Sequence, residues 1–136
     1  LFAEGSDRAA ILRLQKAIEA AGASVKLIAP KVGPTKVAGG AAIVAEQQLA
    51  GAPSVLFDAV AIIASEAGAA SLATHPVVMG FVHDAFNHLK AIGVDAGGRK
   101  LLRALHLDVD AGVVDIAKPK AFIEAAKTRQ WARERS

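Results

Sequence analysis

The stretch Leu89-Lys90-Ala91-Ile92-Gly93-Val94-Asp95-Ala96-Gly97-Gly98 decides how the chain is read. Ala91 to Val94 reads as a short apolar strand, the glycines as a tight turn, and a helix is expected to open near Arg99. In a doubly wound α/β domain this strand-to-helix crossing lies at the carboxyl edge of the sheet, where chemistry is usually carried out. A nucleophile there sits on a strained elbow, beside a helix N-terminus that favours an anion. This elbow offers Asp95, Ala96, Gly97 and Gly98, with no Cys, Ser or Thr. The usual position of a nucleophile is present and holds none.

Working outward, the chain alternates strands and helices. Phe2-Ala3-Glu4 reads as the end of a first strand, Gly5 as a turn, and Ser6 or Asp7 as a helix cap. Ile11, Leu14, Ile18 and Ala21 then recur at helical spacing, with Leu12 and Ala17 widening the stripe, and Gly22 stops the helix. Val25 to Ala29 is a second strand, ended by Pro30. Lys31 to Gly40 is punctuated by Gly and Pro, with short extended pieces expected at Thr35 to Val37 and Ile43 to Ala45. Glu46 to Leu49 fits either helix or loop.

Phe57 to Ala64 holds the clearest central strand, apolar without alternation from Ala59 onward, as a strand covered on both faces must be. Pro76 to Leu89 is the clearest helix, with Thr74 placed to cap it and Val78, Phe81, Val82, Ala85, Phe86 and Leu89 on one face. After the elbow strand come a helix from Gly98 to Leu105, a strand from Gly112 to Ile116, and a helix opened by Pro119 with Phe122, Ile123 and Ala126 inward. The order predicts one domain over residues 1–136, a three-layer α/β/α flavodoxin-like sandwich with a mainly parallel sheet.

Composition narrows the function. A chain of 136 residues, 53% hydrophobic, buries enough surface for a core without staples. It has no apolar run of the roughly 18 residues a membrane span needs, and no visible signal peptide. The absence of cysteine excludes disulfides and thiol catalysis and fits a reducing, cytoplasmic setting. The opening Leu1-Phe2-Ala3, without Met, leads to the expectation of a first strand truncated from a longer protein. The net charge of +3 is mild, and Lys118, Lys120, Lys127, Arg129, Arg133 and Arg135 read as a solvated C-terminal face. With no Tyr, one Trp and no reading motif, nucleic-acid binding is not expected.

Candidate catalytic groups fare no better. His83 and His88 do not share a helix face, so they cannot chelate as an i, i+4 pair does. Asp84 and His88 form at most a surface ion pair, and His75 and His106 read as cap or loop residues. No metal site is expected. Ser6, Ser24, Ser54, Ser65 and Ser71 lack a G-x-S-x-G context. Glu4-Gly5-Ser6-Asp7 places acids where a phosphate needs free N–H groups, and neither G-x-G-x-x-G nor a Walker lysine occurs. Gly97-Gly98-Arg99-Lys100 reads as a helix start followed by solvated bases. Asp58 opens its strand, which fails the geometry of a phosphoacceptor.

Gly51-Ala52-Pro53-Ser54-Val55-Leu56-Phe57-Asp58-Ala59-Val60 and Phe81-Val82-His83-Asp84-Ala85-Phe86-Asn87-His88-Leu89-Lys90-Ala91-Ile92-Gly93 are specific runs. Together with Ile28-Ala29-Pro30-Lys31 and Gly112-Val113-Val114, they resemble the C-terminal domain of large-subunit haem catalases. That domain resembles in turn the DJ-1/PfpI and class I glutamine amidotransferase fold, in which a Cys-His pair occupies the elbow and an acid follows the first strand. Here the pair falls on Asp95-Ala96-Gly97-Gly98, the acid matches Asp7 as a relic, and Ala64-Ser65-Glu66-Ala67-Gly68 replaces the usual Pro-Gly-Gly.

The resemblance implies a homotetrameric parent that disproportionates hydrogen peroxide on haem, with the haem site in a catalase core outside this chain. No catalytic, cofactor-binding or metal-binding residue is then expected here. The implied partners are that core and neighbouring subunits, and the implied role is tetramer stabilisation. Trp131 is expected to be either packed along its own domain or an anchor onto the parent. Two other roles remain open: a holdase-like chaperone module, and residual small-molecule binding at the elbow.

Overall fold

The structure, a computed structural model, describes residues 1–30, 33–48, 57–107, 110 and 112–127. The chain runs through α1 (Arg8–Ala20), β1 (Ile28–Ala29), β2 (Pro34–Thr35), β3 (Ile43–Val44), β4 (Gln47–Gln48) and β5 (Ala59–Ile62). It continues through α2 (Glu66–Ala73), α3 (Pro76–Asn87), β6 (Ala91–Val94), α4 (Ala96–Ala104), β7 (Val113–Asp115) and α5 (Pro119–Ala126).

β5, β6 and β7 form a parallel sheet with β6 in the centre, and β4 pairs parallel with β1. Leu1 and Phe2 join the two ladders. Phe2 N–H donates to the Ile28 carbonyl at 3.0 Å, and Ile63 N–H donates to the Leu1 carbonyl at 3.0 Å. The Leu1 amine itself donates to the Ala61 carbonyl at 2.8 Å, as a strand N–H would. Read across, the order is β4-β1-(Leu1–Phe2)-β5-β6-β7, a doubly wound arrangement whose switch point lies between the first strand and β5. β2 and β3 make the small antiparallel excursion expected between Lys31 and Ala45.

Side-chain parity on the central strands produces the three layers. Val60 and Ile62 of β5 and Ile92 and Val94 of β6 join a core with Leu72, Val78, Val82 and Leu101, so α2, α3 and α4 cover that face. Ala59 and Ala61 of β5 and Ala91 of β6 turn the other way, to Ile11, Leu14 and Phe122 of α1 and α5. Every residue of β6 is buried, and each large side chain on it contributes about 1.5–3 kcal/mol by leaving water. Gly93 serves the second face by having no side chain. A Cβ there would stand 3.0 Å from the Phe122 ring, which lies directly on the sheet.

Several local expectations are corrected. Gly97 and Gly98 are not a turn: both lie in the first turn of α4, which opens at Ala96. An eight-residue helix that the sequence reading left out, α2, follows β5. Thr74 ends that helix rather than capping α3. The N-cap of α3 is His75, which makes no side-chain cap hydrogen bond. Gln47 and Gln48 are strand, and Leu12 is 37% exposed rather than part of the buried stripe. Leu49, Ser54, Trp131 and the basic run from Arg129 lie outside the described residues.

Candidate functional site: the elbow after β6

Asp95 follows the last residue of β6 with extended backbone, φ −98° and ψ −169°. Its carboxylate accepts from Gly98 N–H at 2.8 Å, closing the first turn of α4. The same carboxylate reaches across the sheet edge and accepts from Ala64 N–H, at 3.2 Å through Oδ1 and 3.1 Å through Oδ2. It therefore ties the end of β6 to the end of β5. Two backbone donors that would otherwise lack partners are satisfied by one side chain.

The turn after β5 leaves no room above this staple. A Cβ on Gly97 would overlap the Ala64 carbonyl oxygen, so the helix start rests directly on backbone. Ala96, the first helical residue, is exposed and is not one of the positive-φ residues, which among the described residues are Leu89 and His106 apart from glycines. The strained conformation that presents a nucleophile is absent at this position.

The acid expected after the first strand is also engaged. Asp7 is exposed, and its Oδ1 accepts from Ala9 N–H at 3.0 Å and Ala10 N–H at 3.4 Å as the N-cap of α1. Asp7 and Asp95 thus each cap their own helix. Ser6, which the sequence offered as an alternative cap, is fully buried. It donates to the Ile63 carbonyl at 2.6 Å and accepts from Ala3 N–H at 3.0 Å, pinning the first turn to β5. Ser65 caps α2 by accepting from Gly68 N–H at 3.0 Å. Asp95, Asp7 and Ser65 each accept from a backbone N–H in the first turn of a helix, the cap role such side chains serve.

The chain has no tyrosine, the side chain that ligates catalase iron. Among the described residues no group of three or more His, Cys, Asp or Glu is placed to hold a metal ion. Cavities of about 450 and 350 Å³ open among the described residues, and none of Asp95, Ala96, Gly97 or Gly98 lines either of them. Among those residues no helix is long and apolar enough to cross a membrane.

Comparison with known proteins agrees with this geometry. Residues 2–129 match the family described as the C-terminal domain found in long catalases. The chain is 38% identical over 142 residues to Catalase C of Rhizobium meliloti, covering 100% of this chain and 20% of that protein. It is 31% identical over 138 residues to Catalase HPII of Pseudomonas putida, covering 98% of this chain and 19% of that protein. The chain thus spans about a fifth of the length of these curated relatives.

Among solved structures, a mutant of a DJ-1 superfamily protein from Salmonella typhimurium superposes with a TM-score of 0.72 at 18% identity, covering 91% of this chain and 82% of that one. Drosophila melanogaster DJ-1beta gives 0.71 at 13%, covering 92% and 83%. These likenesses establish the DJ-1/ThiJ/PfpI fold and nothing beyond it. From the match over residues 2–129, the chain belongs to the family of C-terminal domains found in long catalases.

Proposed function

We propose that this domain is non-catalytic and serves a haem catalase that disproportionates hydrogen peroxide, by packing against the catalase core and neighbouring subunits and stabilising a homotetramer. The observation that carries the reading is the elbow. Its carboxylate is a structural staple, its first helical residue is alanine, and its glycine lies against the Ala64 carbonyl. A site whose parts are all committed to holding two strands together supports a packing role better than a chemical one.

The holdase reading calls for a contiguous exposed apolar patch of several hundred Å². The exposed large hydrophobics among the described residues are Leu12, Val44 and Val77, on three different elements, and they do not favour it.

The test compares the full-length parent catalase with the same enzyme lacking residues 2–129. Peroxide turnover per haem is expected to stay within about two-fold, while the temperature at which the tetramer dissociates falls by several degrees. Equal dissociation temperatures would remove the stabilising role. Loss of turnover in intact tetramers would remove the non-catalytic one.

A further inference from the structure

The cavity of about 350 Å³ lies where the elbow does not reach, at the carboxyl edge of the sheet. Ala3 from the first strand, Pro30 after β1, Thr35 of β2, and Ala67 and Leu72 of α2 line it, together with His75. Ala3 and Ala67 follow the two strands that flank the switch point, the place where open α/β sheets receive their ligands. Its size is at the lower end of ordinary small-molecule pockets, about 300–1,000 Å³.

Two of these residues carry an unusual feature. Thr35 is 2% exposed and its Oγ1 has no hydrogen-bond partner, and the Nδ1 of His75 is likewise buried without one. A buried polar atom without a partner is rare in a folded chain, and here two of them belong to residues that line one cavity. The rest of the lining is largely apolar, through Ala3, Pro30, Ala67 and Leu72. No Lys or Arg lines it among the described residues, and Glu4 adds a carboxylate. An anion entering here would lose its hydration and meet no fixed positive charge.

We propose that this cavity binds a small uncharged molecule with an apolar body and an amide-like head, held by Thr35 and His75. A threonine hydroxyl both donates and accepts, while Nδ1 does one or the other according to tautomer. A primary amide carries a donor and an acceptor side by side, and so serves either tautomer. The proposal does not depend on the docking role of the domain.

The probe is benzamide, with benzoate as its anionic counterpart, titrated into the ¹⁵N-labelled chain. Saturable shifts are expected at the backbone amides of Thr35, Gly68 and Leu72, with benzoate at least ten-fold weaker. Thr35→Val, which keeps the shape and removes the hydroxyl, is expected to weaken benzamide at least ten-fold. Its melting temperature should be unchanged or raised, since no hydrogen bond is lost. His75→Phe is expected to weaken the probe as well. The proposal is overturned if those amides do not respond, if benzoate binds as well as benzamide, or if both variants bind normally. A fall of several degrees in the melting temperature of Thr35→Val would also overturn it, because the hydroxyl would then have a partner within the chain.

Discussion

At the scale of the residue, Asp95 is the most consequential side chain of the elbow. Its loss removes a helix cap, about 1 kcal/mol, and strands the Ala64 N–H, about 1–3 kcal/mol more. Asp95→Ala is therefore expected to destabilise the chain by about 2–4 kcal/mol in urea unfolding, and Asp95→Asn, which keeps an acceptor, by less than half as much. Ala96→Cys tests the chemistry. The thiol would stand exposed at the first position of α4, without the strained backbone of a nucleophile elbow. It is expected to show no turnover of p-nitrophenyl acetate, only a single stoichiometric acylation. Sequence showed that this position lacks a nucleophile, because residue identity is all that requires. It did not show what Asp95 does instead, because Ala64 is 31 residues away along the chain and becomes a partner only when β5 and β6 pair.

At the scale of the element, legibility followed periodicity. β6 and α3 declare themselves because each carries large apolar residues at its own repeat; Val78, Phe81, Val82 and Ala85 are buried, while Phe86 is half-buried and Leu89 lies past the helix end at Asn87 with φ 63°. α2 was missed for the converse reason. Glu66-Ala67-Gly68-Ala69-Ala70-Ser71-Leu72-Ala73 has one large apolar side chain, and its buried residues include Gly68 and Ala69. Small residues there let α2 and α4 approach closely, a property of pairs that no single helix displays. Ser65 followed by Glu66 was the available signal. The same closeness makes α4 intolerant at its start. Gly97→Ala places a methyl group on the Ala64 carbonyl, and since backbone cannot swing aside as a side chain does, a loss of at least about 3 kcal/mol is expected. Circular dichroism melting of that variant checks it, with Gly80→Ala as a control: Gly80, on α3, has nothing within 4 Å of its Cβ position.

At the scale of the whole molecule, the doubly wound order was readable because parallel sheets with right-handed crossovers leave few alternatives. The short edge ladder β1–β4 was not, since two-residue strands hold too few side chains to show any repeat. What unites the two ladders is the pair Leu1 and Phe2: Phe2 N–H donates to the Ile28 carbonyl on one side, and the Leu1 carbonyl accepts from Ile63 N–H on the other. Phe2→Pro removes the first of these donors, and is expected to loosen β1 and β4 while β5, β6 and β7 stay paired. Amide hydrogen exchange checks it: exchange should quicken in β4 and stay slow in β6. A seam two residues wide would then decide whether the sheet behaves as one body or two.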